Sequence, residues 1–324
     1  MKKITFFAVG FYLIFSLTFL MPFLHAQTYP NQPIQLIITL APGDGLDVTG
    51  RAIADQLAKI LNTPIIPINK TGAGGTFGTD YVVKSKKDGY TILYTNSNLI
   101  YTLATNPDNV PYNPFQDLEP LCQSGSVPLL IAVQAESIWK SFQELVDYIK
   151  KNPGKVRGGT TGTATIGHFV YEIIQKETGT SITLVPFKGA TPMFTALLGG
   201  HVEIAHPSLS VISPHLASGR VKALLTSKKI PEHPNIPTLT ELGYKRDIPS
   251  VWNAFFIPAG VSDSVKKILV SALEKSIKSP DVVNVMQKIG YVHDYRSGDE
   301  VKKSIREEYL TLEELIKKMG PIAK

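Results

Sequence analysis

Hydrophobic positions along the chain fall into short runs separated by amphipathic stretches, the pattern of an α/β protein. Residues 34–40 are almost continuously apolar, which indicates a strand buried on both faces. A helix with Ile53, Leu57 and Leu61 on one face follows, and Asp47 is its predicted N-cap. Further strands are predicted at 64–68, 91–95, 129–134, 182–187, 202–205, 221–227 and 254–258. Because helices lie between most of these strands, the pattern favours parallel sheets.

Three helix starts are predicted from polar caps. Ser141 and Ser297 each precede a glutamate by three residues, the spacing of a capping box. Ser262 opens another amphipathic run, which ends before Pro280. These helices lie between or after the predicted strands, as an α/β fold requires.

The length of 324 residues exceeds what one hydrophobic core usually organises, so two domains are expected. Two segments, 118–128 and 248–255, resemble crossings from strand to strand without a helix. If both are crossings, lobe 2 is the inserted segment 125–250, and lobe 1 combines 27–124 with 251–324. Two lobes joined in this way form a hinged clamp that suits a ligand in the cleft.

The N-terminus has the features of a secretory leader. Lys2 and Lys3 precede an uncharged, largely apolar stretch at 4–24, and Ala26 ends a small-residue cleavage site. We predict a signal peptide at 1–26 and export of the mature chain. An uncleaved membrane anchor is the alternative, since 4–24 approaches the length that spans a bilayer.

Composition narrows the classes of function. With 43% hydrophobic and 19% charged residues the chain is expected to fold, and Cys122, its one cysteine, excludes a disulfide framework or a Cys-rich metal site. The formal charge of +6 comes from scattered lysines without a basic arm, so nucleic acid is not an expected partner. Histidines form no close ligand pair, and nucleotide and hydrolase motifs are absent from the sequence. We therefore predict no metal and no cofactor.

Three glycine-rich loops each lie where a predicted strand passes into a helix. They span 41–47, 71–78 and 158–165, and the third is also rich in threonine. Glycines let the backbone approach a ligand, and the free N–H groups of a helix start attract anions. Together the loops predict a site of the size of a carboxylate.

Eight different short motifs follow one another along the chain in a fixed order. They are YPNQPI at 29–34, PGDGLD at 42–47, GAGG at 72–75, DGYT at 88–91, PYNP at 111–114, NPGK at 152–155, VPFKG at 185–189 and LLGG at 197–200. This ordered set resembles the Bug/TctC solute-binding proteins of tripartite tricarboxylate transporters. The resemblance extends from Tyr29 to about Glu308.

The resemblance implies a monomeric periplasmic receptor with a two-lobed type II periplasmic-binding-protein fold and a hinge of two crossover strands. Such a receptor delivers a small organic acid to the large and small membrane subunits of a permease. The resemblance places one ligand carboxylate on the first and third loops, and other groups along the rest of the cleft. The corresponding positions here are Pro42, Gly43, Asp47, Thr161, Gly162, Thr163 and Thr165, then Gly74, Gly75, Asn96, Ser97, Phe187 and Lys188.

Two positions depart from the family pattern. Asp44 adds a carboxylate to the first loop, where it would repel an anion, or attract an ammonium or hydroxyl group, if it faces the cleft. The family commonly has an aspartate within a few residues after 202–205, where this chain reads His206, Pro207 and Ser208. The loss of that acid would favour a second carboxylate, and a protonated His206 would add a positive charge. The ligand could therefore be a dicarboxylate, a tricarboxylate, an aromatic acid or an amino acid.

Two other functions stay open from the sequence. An exported hydrolase or transferase would need Ser97, Ser126 or His168 paired with a base. A ligand-sensing receptor would use the same closure and dock on a signalling protein instead of a permease.

Overall fold

The structure is a computed structural model that describes residues 29–163, 165–187 and 189–319. The predicted signal peptide at 1–26 lies outside the described residues. Among the residues described, no helix combines the length and the hydrophobicity needed to cross a bilayer.

Two β-sheets flanked by helices make up the fold, and the chain passes through one sheet, then the other, and back. The first part contains β1 (Ile34–Ile38), α1 (Gly45–Leu61), β2 (Ile65–Asn69), a 3-10 turn (Ala73–Gly75), α2 (Thr76–Val83), β3 (Thr91–Asn96), α3 (Asn98–Thr105), a second 3-10 turn (Pro107–Asn109), α4 (Pro114–Asp117) and β4 (Leu118–Val127). The middle part contains β5 (Leu130–Gln134), α5 (Phe142–Lys151), β6 (Arg157–Thr160), α6 (Ile166–Thr178), β7 (Thr183–Pro186), α7 (Ala190–Leu198), β8 (Ile204–Ala205), α8 (Leu209–Ala217) and β9 (Val221–Thr226). The last part contains β10 (Val251–Pro258), α9 (Asp263–Ile277), α10 (Pro280–Lys288), β11 (Val292–Ser297) and α11 (Gly298–Met319).

Both sheets are mixed, rather than the parallel sheets that the alternation favoured. The six-stranded sheet has the order β11-β4-β10-β3-β1-β2, and the five-stranded sheet has the order β7-β6-β8-β5-β9. Parallel pairing joins β1 to β2 and β3 in the first sheet, and β6 to β7 and β8 in the second. The strands at the crossings, β4, β5 and β10, pair antiparallel with their neighbours because they reverse the direction of the chain. We call the six-stranded sheet with its helices lobe 1 and the five-stranded sheet with its helices lobe 2.

The two crossings lie side by side, because Val127 at the end of β4 pairs with Val251 at the start of β10. Pro128 and Leu129 then separate β4 from β5. The Leu129 N–H donates to Oγ of Ser227, which directly follows β9, at 3.0 Å, and the Ser227 N–H donates to the Leu129 carbonyl at 2.8 Å. One cluster of buried hydrophobic residues continues across this junction, with Leu93 on β3, Phe169 on α6 and Leu312 on α11. The predicted fold class, two lobes joined by two crossover segments, is confirmed by this topology.

The predicted helix caps at Ser141, Ser262 and Ser297 are confirmed, since each hydroxyl accepts a backbone N–H in the first turn that follows. Cys122 is a buried free cysteine on β4, as expected. Three strands are absent from the predicted strand positions, the first of them β4, which falls in the segment 118–128 that resembled a crossing. β6 has the sequence RGGT and had been assigned to the third loop, and β11 is the polar segment VHDYRS at the sheet edge.

Helix α11 contacts both lobes and buries an acidic side chain. Glu308 accepts hydrogen bonds from Tyr101 Oη and Trp252 Nε1, each at 2.9 Å, and Lys176 of lobe 2 pairs with Glu314 at 2.7 Å. Burial raises the pKa of Glu308, although the two hydrogen bonds and the charge of Arg296 oppose the rise.

Glu308→Gln is expected to flatten part of the pH dependence of folding. Since folding raises this pKa, Glu308 stabilises the fold at low pH, and that contribution is lost as the pH rises from 4.5 through the raised value. Glutamine can still form hydrogen bonds with both Tyr101 and Trp252, and it does not titrate. The variant should therefore gain stability relative to wild type as the pH rises. Urea unfolding from about pH 4 to about pH 8 measures this. Glu308→Ala is the contrast: it leaves two buried donors unpaired and should cost about 1–3 kcal/mol.

Candidate functional site

The first glycine-rich loop follows β1 and is held to the start of α1 by the carboxylate of Asp47. One oxygen accepts the Gly43 N–H at 2.9 Å, and the other accepts Arg51 Nε at 2.9 Å and Asn69 Nδ2 at 2.8 Å. Burial would raise the pKa of Asp47, but these hydrogen bonds and the Arg51 charge hold it below its ordinary value. Asp47 is therefore an ionised group that shapes the loop.

Asp44, and not Asp47, is the N-cap of α1, which corrects the sequence prediction. Its Oδ1 accepts the Leu46 N–H at 2.9 Å, and its backbone is extended, as in an N-cap. Because the helix begins at Gly45, Asp44 flanks the first turn, whereas Asp47 already lies within it. Asp44 is exposed, as is Pro42 before it, and the ion pairs of the described residues leave Asp44 out.

The second glycine-rich loop packs between the end of β1 and helix α3. An ideal Cβ on Gly75 would lie 3.2 Å from Thr39 Cβ, and one on Gly74 would lie 2.7 Å from Thr102 Oγ1. Both glycines have φ angles in the left-handed region, 65° for Gly74 and 99° for Gly75. These contacts explain the glycines by packing, and their part in ligand binding stays a prediction.

Two polar side chains lie at the end of β3, and only one of them is hydrogen-bonded within the described residues. Asn96 Oδ1 accepts the Asn98 N–H at 3.0 Å and thereby holds the start of α3. The Ser97 N–H donates to the Trp252 carbonyl at 3.1 Å, but Ser97 Oγ is buried without a hydrogen-bond partner among the described residues.

In lobe 2 the third loop is shorter than predicted, because Gly158, Gly159 and Thr160 belong to β6. Thr161 Oγ1 lies 3.1 Å from Thr165 Oγ1, which also bonds the Gly162 carbonyl at 2.8 Å. Thr165 is the N-cap residue of α6 but makes no side-chain cap bond, and the first turn of α6 has no acidic residue. The start of α6 thus keeps its attraction for an anion.

Three further predicted positions adjoin this loop. Thr163 is exposed within it. The Phe187 N–H donates to the Thr160 carbonyl at 2.8 Å, so β7 ends beside β6. Lys188 lies outside the described residues.

His206 follows β8 and is buried against α6. An ideal Cβ on Gly167 would overlap Cε1 and Nε2 of the imidazole and lie 3.0 Å from Thr161 Oγ1. Neither ring nitrogen has a hydrogen-bond partner among the described residues. Burial lowers the pKa of His206 from 6.5 to about 4, so the imidazole is neutral at neutral pH. A neutral imidazole does not carry the positive charge that protonation of His206 would supply.

Sequence reasoning missed two polar residues at the lobe 1 edge, Asn253 and Tyr291, and considered a third, Ser126, only as a nucleophile. Asn253 on β10 and Ser126 on β4 are each 1% exposed, and none of their side-chain N or O atoms has a hydrogen-bond partner among the described residues. Tyr291 reaches from the start of β11 to α1, where an ideal Cβ on Gly45 would lie 2.8 Å from its Cζ. Burial and the charge of Asp44 raise the pKa of Tyr291, and Asn253 beside its hydroxyl opposes the rise.

One contact joins the segments of the two lobes that carry these groups. Gly290, next to Tyr291, packs against Ser210 at the start of α8, with an ideal Cβ 2.9 Å from the Ser210 backbone nitrogen. The segments that carry Tyr291 and His206 are thus in contact across the lobes. We call Asp44, Asn253 and Tyr291 the Asp44 group, and Thr161, Thr165 and His206 the His206 group. Within the described residues no three His, Cys, Asp or Glu side chains gather as a metal site would require.

Asn253→Leu is expected to stabilise the ligand-free protein by about 1–3 kcal/mol, because it removes a buried amide that the described residues leave without a hydrogen bond. The same change should abolish the thermal shift that a ligand produces. Urea unfolding and thermal shift measure the two effects. Asn96→Leu is the matched control: Asn96 faces Asn253 in the sheet but has a partner, so its loss should destabilise by about 1 kcal/mol. A change in the free energy of unfolding in the same direction for both variants would contradict this interpretation.

Comparison with known proteins decides the family. Residues 49–321 match the family model described as the tripartite tricarboxylate transporter family receptor, TctC. The chain belongs to the TctC family. Protein BugT of Bordetella pertussis is 32% identical over 287 residues, which are 87% of this chain and 88% of BugT. A UPF0065 protein of Agrobacterium vitis is 30% identical over 268 residues, 82% of this chain and 77% of that protein.

Solved structures agree with the TctC assignment. A TctC solute-binding protein from Polaromonas, determined without ligand, is 26% identical, with a TM-score of 0.83 over 90% of this chain and all of that one. The periplasmic binding protein BugD is 27% identical, with a TM-score of 0.66 over 91% of this chain and all of BugD. The predicted family and the type II periplasmic-binding-protein fold are confirmed. TctC proteins are periplasmic solute-binding receptors.

Proposed function

We propose that this TctC-family protein is a periplasmic receptor that captures a small organic carboxylate between its lobes and delivers it to a tripartite permease. The observation that carries the proposal is the set of buried polar side chains without partners where the two sheets meet. Ser97, Asn253 and His206 are each at most 3% exposed, and each is left unsatisfied by the described residues. Buried polar groups are normally paired, so a bound solute is the partner we infer for them.

Both lobes supply groups suited to such a solute. The start of α6 offers backbone N–H groups without an acidic cap, and Asn253 and Tyr291 offer neutral polar atoms. Two solved structures that share this fold are described as holding malate and adipate, at 23% and 24% identity and a TM-score of 0.67 each. From these two structures we infer for this chain only that its ligand is a small organic acid.

The arrangement favours a receptor over a hydrolase. Ser97 Oγ and Ser126 Oγ have no hydrogen-bond partner among the described residues, so neither is paired with a base there. His168 Nε2 lies 3.6 Å from Glu172 Oε1 on the same helix. We propose a non-catalytic monomer whose lobes divide near residues 125 and 250.

Calorimetry and thermal shift test this proposal. The mature chain, from Gln27, is unfolded and refolded to remove any bound solute, then titrated with malate, adipate, citrate, benzoate and glutamate. A ligand at a hundred times its Kd should stabilise the fold by about 2.7 kcal/mol. Recovery of the unchanged acid after long incubation supports a receptor. Turnover of the acid, or no binding of any acid by the refolded protein, would contradict the proposal.

A further inference from the structure

We propose that the ligand is a small monocarboxylate whose other end carries a hydrogen-bond donor, either a hydroxyl or an ammonium group. Its carboxylate lies at the His206 group, and its donor lies at the Asp44 group. This inference rests on the proposed function and specifies the class of acid. It follows from an asymmetry in charge between the two lobes.

Lobe 1 already holds carboxylates at the helix start that would otherwise bind an anion. The N–H of Gly43 is bonded to Asp47 and the N–H of Leu46 to Asp44. Arg51 balances Asp47, but no ion pair of the described residues balances Asp44. A ligand carboxylate placed here could not use these two N–H groups, because they are already bonded, and it would be repelled by the uncompensated charge of Asp44.

The remaining groups of lobe 1 are suited to a donor. Asp44 uses Oδ1 for the cap, which leaves Oδ2 as an acceptor. The Asn253 amide is 1% exposed and lies beside the Tyr291 hydroxyl, which reaches Gly45 at the start of α1, but neither amide atom reaches hydrogen-bond geometry with a described residue. A hydroxyl or ammonium group can donate to these oxygens, whereas a second carboxylate cannot.

Lobe 2 has the opposite character. The first turn of α6 contains no acidic residue, and Thr165 leaves the cap position unfilled. The buried His206 imidazole lies next to Gly167 in that turn, and Thr161 Oγ1 lies close to the same point. Neither imidazole nitrogen has a hydrogen-bond partner in the part of the chain that the structure describes. The neutral imidazole and the free N–H groups of the first turn can donate to a carboxylate here without adding a full positive charge, while the Thr161 and Thr165 hydroxyls hold the loop through their own hydrogen bonds.

The test compares acids that differ only at one end. Wild-type protein is titrated calorimetrically with dicarboxylates, ω-hydroxy acids and ω-amino acids of matched length: succinate, 4-hydroxybutanoate and 4-aminobutanoate, then glutarate, 5-hydroxypentanoate and 5-aminopentanoate. We expect the best donor-bearing acid to bind at least tenfold more tightly than the dicarboxylate of its length. The hydroxy and amino acids distinguish the two donor types.

The Asp44→Asn variant keeps the helix cap, since asparagine caps as well as aspartate. It should weaken the donor-bearing acids about tenfold and strengthen the dicarboxylates by a similar factor. Asp281→Asn is the control, because Asp281 lies in the first turn of α10 in the same lobe and bonds Gln56 on the surface. It should change neither affinity.

Tighter binding of dicarboxylates by wild type, or an unchanged ratio in Asp44→Asn, would overturn the inference and leave the proposed function intact. Failure of every acid to bind would reject the proposed function, and the inference with it.

Discussion

Gly167→Ala is expected to displace His206, to lower stability by about 1–2 kcal/mol and to abolish ligand binding. A Cβ at this position would overlap two atoms of the buried imidazole, so the His206 side chain must shift to make room. Overpacking costs about 1–3 kcal/mol, and the higher helix propensity of alanine offsets up to about 1 kcal/mol of it.

Urea unfolding and calorimetry measure the two effects of Gly167→Ala. The matched variant is Gly167→Ala with His206→Ala, in which the clash partner is absent. A double-mutant cycle should give a favourable coupling of about 1 kcal/mol or more, because the two residues are in contact. Additive effects of the single changes would show that His206 does not lie against this turn.

Acidification is expected to destabilise the protein through His206 by about 3 kcal/mol. The folded pKa of His206 is depressed from 6.5 to about 4 by burial, so its contribution is present above 6.5 and is lost as the pH falls toward 4. A difference of about 2.5 pKa units corresponds to the stated free energy.

His206→Phe should remove this part of the pH dependence, because phenylalanine does not titrate. Urea unfolding across the same pH range compares the variant with wild type. Glu308→Gln is the contrast, since Glu308 acts with the opposite sign and its loss should leave the acid lability in place. The same loss of stability on acidification in His206→Phe and in wild type would contradict the burial of a neutral imidazole.

Local patterns predicted the elements whose burial or capping is encoded within a few residues. The apolar run of β1 and the caps at Ser141, Ser262 and Ser297 are of this kind. β6 was missed because its two glycines resemble a loop, and only pairing with β7 and β8 makes it a strand. β11 was missed because its residues are polar and it pairs on one side only, with β4.

The candidate site could be predicted only in part, for a related reason. The loops at 41–47 and 158–165 could be recognised from their glycine content, and the second of them also from its threonines. Tyr291 and Asn253 reach the first loop from more than 200 residues away, through packing that no local pattern encodes. Asp44 caps the helix only because the helix begins at Gly45, and the sequence pattern does not fix that first residue. The neutrality of the His206 imidazole depends on its burial in the folded chain.

The most direct test of a receptor that closes on its ligand is the distance between the lobes. Spin labels at Lys84→Cys, directly after α2, and at Thr195→Cys on α7, both exposed, report this distance by double electron–electron resonance. Native Cys122 is buried and can stay in place. Lys84→Cys with Lys59→Cys is the control pair within lobe 1. Saturation with the acid that calorimetry finds tightest should shorten and narrow the distance between lobes and leave the control unchanged. An unchanged distance between lobes with the ligand bound would contradict the account.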